Sequence, residues 1–222
     1  MRRDCNKYFV CLDPREEEIF REYAMPLVFQ KDHIVFANGD SPDYVYFIER
    51  GRLKIYRLTK DGQTITVSIR HPGELFGLAE ALMEEPRKCF AQTLETTSLL
   101  AVKKDVCKEI LKSTPALSIK VNKVLSHRLR RAEEVIYDLI NYNVSGRLAS
   151  FLLNMQEQCG YPCKEGIMLD IKLTHKDIAN IIGSTRQSVT QTLQEFKEDG
   201  AIIVKNKKII LQDRKKLQSR VY

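Results

Sequence analysis

Residues 183–196, GSTRQSVTQTLQEF, set one arginine among hydroxylated and amide side chains. Such a face is too polar for a core and too weakly charged for a simple electrostatic patch. At helical spacing, Arg186, Gln187, Thr190 and Gln191 fall together near the start of a helix, with Ser184 and Thr185 just before it. These side-chain types read base edges. Arginine makes a two-pronged hydrogen bond with guanine, glutamine does the same with adenine, and hydroxyls serve either. Thr185 and the free N–H groups of a helix start suit a phosphate.

Other chemistry finds less support. The sequence holds no GxxxxGK[ST], HExxH or GxSxG, and no obvious acid pair at the mouth of a strand, so it reads as a non-enzyme. The six cysteines, Cys5, Cys11, Cys89, Cys107, Cys159 and Cys163, form no CxxC, and reduced thiols are expected. Their spacing is wider than a structural zinc site commonly uses, so no metal is assigned. The histidines are His33, His71, His127 and His175.

The elements that would position the reading face are legible nearby. Thr174 followed by Asp177 predicts a capped helix start over THKDIANIIG, with Thr174 also placed to meet DNA. Gly183 closes that helix and Thr185 caps the next. Ala179 is small enough for a close crossing, and Ile178, Ile182, Val189 and Leu193 supply the inner faces. This is a helix-turn-helix. AIIVKNKKIIL predicts a basic two-stranded wing, with Lys207 meeting phosphates. Upstream, VSGRLASFLLNMQEQ reads as an amphipathic helix ended by Gly160-Tyr161-Pro162.

After Pro115 a long helix is expected. Leu125, Leu129, Ala132, Ile136 and Leu139 repeat at steps of 4, 3, 4 and 3, a heptad seam that fits a parallel homodimer. The alternative is a helix packed on its own domain. From about Leu27 to Val102, short β-branched and aromatic runs alternate with turns, and Gly39, Gly51, Gly62 and Gly73 mark corners. Asp61-Gly62 signals a hairpin. Before them, DPREEEIFREY reads as a short helix with Asp13 as N-cap and Pro14 in its first position.

The fold class is therefore α+β: an antiparallel β-roll over 1–112, a dimerisation helix over 113–142, and a winged helix-turn-helix over 143–222. Net charge is +7. From Val144 onward 13 Lys/Arg stand against 8 Asp/Glu, a balance of +5, while the first 143 residues hold 23 against 21, or +2. A basic final third suits a polyanion. No apolar run is long enough for a bilayer and no secretory leader is seen, so a cytoplasmic protein without membrane partners is expected.

With these residues in place, the chain resembles the superfamily of the cAMP receptor protein and the fumarate–nitrate reduction regulator. The likeness rests on the glycines at 39, 51, 62, 73 and 77, on PGELFGLAEALMEEPRKCFAQTLE, on the long helix and on GSTRQSV. It implies a cytoplasmic homodimeric transcription factor that binds double-stranded DNA at a pseudo-palindromic site, meets RNA polymerase, and takes an effector in the roll that reorients the recognition helices. Arg186 occupies the family's guanine-reading position. Gln187 stands where the cAMP-type proteins carry Glu, and Gln191 where they carry a second Arg. TRQ is closer to the carbon-monoxide-sensing haem activators, which implies a half-site related to TGT-N-A.

The effector is less legible. The family's cyclic-nucleotide cassette reads FGE-x-x-LL…PR[ST]A, with Glu on the ribose and Arg and Ser/Thr on the phosphate. Here Leu78 follows Gly77, Arg87 is kept, Lys88 replaces Ser/Thr and Cys89 replaces Ala. A leucine would leave ribose hydroxyls unpaired, which argues against cAMP. Arg87 and Lys88 still favour an anion. The implied effector set is Gly77, Leu78, Arg87, Lys88 and Cys89, with Leu125 and Leu129 from the long helix. Alternatives are a haem, with His71 as the candidate ligand, an iron–sulfur cluster using Cys5 and Cys11 with Cys89 or Cys107, or a constitutive DNA-binding dimer whose roll is a scaffold. The position where the redox-sensing branch carries a roll cysteine is Leu100.

Overall fold

The computed structural model describes residues 14–205 and 208–221. The chain divides into two compact units at His127–Arg128.

The first unit begins with α1 (Pro14–Glu22), then β1 (Met25–Phe29), β2 (Ile34–Phe36), β3 (Tyr44–Arg50), β4 (Leu53–Leu58), β5 (Thr64–Arg70), β6 (Leu75–Phe76), α2 (Leu78–Met83), β7 (Phe90–Thr93), β8 (Thr97–Lys103) and α3 (Lys104–Ser113). Its strands pair antiparallel in two sheets, ordered β1-β8-β3-β6 and β2-β7-β4-β5. This is the antiparallel roll that the turn spacing predicts. The β4–β5 hairpin turns through Asp61-Gly62, as expected.

β3 shows why this unit holds together. Its YVYFI run is apolar at successive positions because both of its faces are covered. Tyr46 and Ile48 join Phe36, Leu53, Phe76, Leu99 and Ala101 in one buried cluster between the sheets. Val45 and Phe47 face a second cluster, made with Phe20 of α1, Leu78 of α2, Cys107 of α3 and Leu100 and Val102 of β8. α2 and α3 lie outside what the sequence pattern predicted, being short and read only through that packing.

α4 (Pro115–Asn141) follows, contributing Leu117 and Val121 to the second cluster. Pro115 opens it, since the residue before a proline is driven from helical backbone and ends α3.

The second unit continues with α5 (Val144–Cys159), β9 (Gly160–Cys163), β10 (Gly166–Leu169), α6 (His175–Ile182), α7 (Arg186–Glu198), β11 (Ile202–Lys205), β12 (Lys208–Leu211) and α8 (Arg214–Gln218). Here the structure adds to the sequence reading twice. Gly160-Tyr161-Pro162 does more than end α5, because these residues begin a strand. The wing is likewise part of a four-stranded sheet, ordered β11-β12-β10-β9. Pro162 is tolerated because β9 is an edge strand, where its missing N–H breaks no ladder. Lys207 lies outside the described residues, as do Cys5, Cys11 and Asp13. Among the described residues no helix is long and apolar enough to cross a membrane.

Candidate DNA-reading and effector sites

The reading face is built by local rules. Thr174 accepts a hydrogen bond from the Asp177 amide at 3.1 Å, and Asp177 Oδ2 accepts one from the Thr174 amide at 2.9 Å, closing the capping box at the start of α6. Gly183 ends α6 at φ 64°, a left-handed turn that glycine adopts without a Cβ penalty. A Cβ there would also sit 3.3 Å from a Leu139 methyl. Thr185 then caps α7, accepting from the Ser188 amide at 3.1 Å.

Ile178, Ala179, Ile182, Val189 and Leu193 are all buried, so the two helices share one apolar seam. Arg186, Gln187, Thr190 and Gln191 are exposed on α7, at relative positions 0, 1, 4 and 5 that place them on one face. Thr185 is exposed beside them and Ser184 half-buried. Two of these side chains already have internal partners. Gln191 donates to Glu195 at 3.2 Å, and the Thr190 hydroxyl donates to the Arg186 carbonyl at 2.8 Å. His175 Nδ1 lies 2.8 Å from the same hydroxyl. Burial, with Lys197 and Arg186 nearby, holds the His175 pKa below its ordinary value.

Sequence reasoning missed Arg147. From α5 it donates to the carbonyls of Tyr142 at 2.8 Å, Ile182 at 2.9 Å and Gly183 at 3.3 Å. One guanidinium thus ties the end of α4 to the turn of the helix-turn-helix. The signal was a lone arginine in an apolar helix, VSGRLASFLL. The wing lysines are also less free than their sequence suggests. Lys205 pairs with Glu165 at 2.5 Å, and Lys208 with Asp170 at 3.1 Å.

In the roll, Arg87 is the decisive residue. It is 1% exposed. Nη1 donates to the Gly77 carbonyl at 2.8 Å and lies 3.5 Å from Glu80 Oε2, while Nη2 donates to the Tyr44 carbonyl at 2.5 Å. The guanidinium stacks 4.4 Å from the Phe36 ring centre, within an aromatic group of Phe36, Tyr46 and Phe76. Arg87 Nε is buried with no hydrogen-bond partner. Gly77 permits this approach, because a Cβ there would sit 3.0 Å from Nη1 and the backbone has φ 74°.

The rest of the expected effector set divides. Leu78 is buried in the cluster beneath α2, and Cys89 packs at the edge of the inter-sheet cluster. Lys88 is exposed and pairs with Glu85 at 3.2 Å, so it does not join Arg87. Leu125 packs against the cluster that holds Leu117 and Val121. The cyclic-nucleotide pattern is not met. No carboxylate stands at position 78 for a ribose, and the Glu80 carboxylate, two residues on, already lies beside the arginine that would hold the phosphate.

Along α4, Leu129 is 63% and Ile136 56% exposed, and Ala132 is exposed between them. Leu139 is 47% exposed, and its methyl also lies near Gly183. Ile140, outside the repeat, is 77% exposed. His71 is buried in a turn, its amide donating to Glu74 Oε1 at 2.8 Å. Burial pushes the thiol pKa values of Cys89 and Cys107 up to about 11, the reverse of an activated thiolate. Among the described residues no group of three or more His, Cys, Asp or Glu could hold a metal ion.

Comparison with known proteins agrees with both halves. Residues 26–114 match the cyclic nucleotide-binding domain, and residues 146–220 match the Crp-like helix-turn-helix domain. The chain is 33% identical over 208 residues to the global nitrogen regulator of Nostoc sp., covering 90% of this chain and 93% of that protein. It is 28% identical over 212 residues to the CRP-like cAMP-activated global transcriptional regulator of Mycobacterium tuberculosis, covering 96% and 95%. Among solved structures, FixK2 from Bradyrhizobium japonicum superposes with a TM-score of 0.79 at 23% identity, over 90% of this chain and 98% of that one. A CooA mutant from Carboxydothermus hydrogenoformans gives 0.80 at 24%, over 95% and 93%. These two likenesses concern the fold. A roll with a helix-turn-helix capped in this way, and a relative this similar along nearly its whole length, make the chain a member of the Crp/Fnr family of transcriptional regulators.

Proposed function

We propose that this regulator acts in the cytoplasm as a homodimer that binds a pseudo-palindromic DNA site and answers to an anionic small molecule in its roll. The exposed Arg186, Gln187, Thr190 and Gln191 on one face of a capped helix support the DNA reading. Thr174, Ser184, Thr185 and Lys207 serve the phosphates or flanking bases. Leu129, Ala132 and Ile136, with Leu125 and Leu139 at the ends of the repeat, form the seam between copies. Residues 1–112, 113–142 and 143–222 are the sensing, dimerising and DNA-binding parts, and RNA polymerase is the partner at the promoter.

The observation that supports an anionic effector is Arg87, a buried cation with one nitrogen unpartnered beside three aromatic rings. Gly77 and Arg87 would hold the anion, with Cys89 at the edge of the same inter-sheet cluster, while Leu78 packs in the other cluster and Lys88 stays outside with Glu85. A second reading has one observation in its favour: the other guanidinium nitrogens are already held by Gly77, Tyr44 and Glu80. On that reading the protein is a constitutive DNA-binding dimer. Thermal unfolding with cyclic nucleotides, 2-oxoacids and inorganic anions, run beside DNA binding, separates the two. A stabilising anion that changes operator affinity supports the effector reading. Tight binding to DNA with no response to any of them supports the scaffold. A Soret band, or a broad visible absorption that bleaches in air, in freshly purified protein replaces both with a haem or cluster sensor.

A further inference from the structure

The Thr190 hydroxyl is engaged twice within the protein. Its single proton goes to the Arg186 carbonyl at 2.8 Å. Its contact with His175 Nδ1, also 2.8 Å, must then run the other way, with the ring N–H donating and the hydroxyl oxygen accepting. The proton on Nδ1 is fixed by this requirement. The threonine is thereby held in one rotamer, with its oxygen turned to the helix backbone and to α6. Both contacts engage the oxygen, so the methyl is the branch of this exposed side chain that neither of them uses, between Arg186 and Gln191 on the candidate reading face.

We propose that Thr190 reads a thymine through its methyl group, and that His175 is the positioning residue that holds it in that orientation. The inference rests on the assignment of α7 as the DNA-reading helix. It changes the chemistry expected of position 190, because a hydroxyl could serve several bases whereas a methyl selects the C5-methyl of thymine. His175 acts across the angle between α6 and α7, from the first position of the capped helix. The helix-turn-helix crossing therefore sets one base preference as well as the overall pose.

The test uses the full-length protein and a duplex recovered by selection from a random pool. Thymine is replaced by uracil at each half-site position in turn, which removes only the C5 methyl. For the unaltered protein one position per half-site should lose affinity by about four-fold, the worth of one buried methyl-sized group. Thr190→Ser should abolish that loss. Thr190→Val, with a methyl in every rotamer, should keep it. His175→Ala should shrink the loss in the threonine protein and leave it unchanged in the Thr190→Val protein. A merely structural role for His175 would act equally in both backgrounds. The proposal is overturned if no uracil position depends on residue 190, or if Thr190→Ser retains the loss. Arg186→Ala, run in parallel, tells the failures apart. Lost specificity there leaves the helix assignment standing and sinks only the methyl reading, whereas intact specificity sinks the assignment itself.

Discussion

Two arginines with opposite surroundings divide the chemistry of this chain. Arg186 is exposed at the first turn of α7 and free to meet a base edge. Its replacement by alanine should weaken specific binding by about 1–3 kcal/mol and relax one base position, measurable by titrating a panel of single-base operator variants. Arg87 is sealed inside the roll. Arg87→Ala would leave the Gly77 and Tyr44 carbonyls and the Glu80 carboxylate without their cation, at a cost of about 3–5 kcal/mol by urea unfolding. Arg87→Lys should recover only part, since a compact ammonium lacks the planar fork that reaches both carbonyls from beside the Phe36 ring. Cys107 gives a pH test. Burial raises its thiol from the ordinary 9.0 to about 11, so the folded protein keeps a proton that the unfolded chain releases. Its contribution to stability is complete below about pH 9 and falls as pH rises toward 11. A Cys107→Ala protein should show a shallower alkaline decline in urea midpoint than the unaltered one.

At the scale of elements, what could be read from sequence was what short-range rules determine. The Thr174–Asp177 box, the Gly183 turn and the Thr185 cap each involve residues within a few positions of one another, and each has the structure its residue types dictate. Thr185→Ala should cost about 1 kcal/mol of thermal or urea stability while leaving the reading residues unchanged in identity. The β9–β10 hairpin escaped because its strands have four residues each, carry glycine and proline, and pair outward to β12 more than forty positions away. No local period announces that. The Glu80–Arg87 contact escaped for the same reason, since only the folded roll brings α2 over the turn that carries Arg87. Leu139 fits the heptad by spacing and is 47% exposed, and its methyl also lies beside Gly183. A repeat in sequence assigns a side of the helix, and the neighbouring elements decide what that side touches.

For the whole molecule, the quantity to explain is how a weakly charged reading helix achieves a specific complex. Among the described wing residues, Lys205 and Lys208 are paired with Glu165 and Asp170, which lowers the net charge they offer to DNA. In the proposed dimer, two copies bound at once would supply the difference: tethering would make the second half-site contact intramolecular, worth about 10²–10⁴ in affinity when the geometry allows both. The exposed Leu129 and Ile136 on α4 are the residues through which that tether would form. Half-sites read by such a dimer lie about one helical turn apart. Inserting about five base pairs between them turns the second half-site to the far side of the duplex and should remove the tethered gain. Leu129→Glu should remove it by the other route, placing like charges in the seam. The two changes should therefore bring affinity down to the same single-half-site level, and combining them should cost no more than either alone. Mobility-shift titrations at one fixed salt concentration, with sedimentation to follow the dimer, measure all four combinations. Additive losses would mean that α4 does something other than join the two reading helices on one face of the DNA.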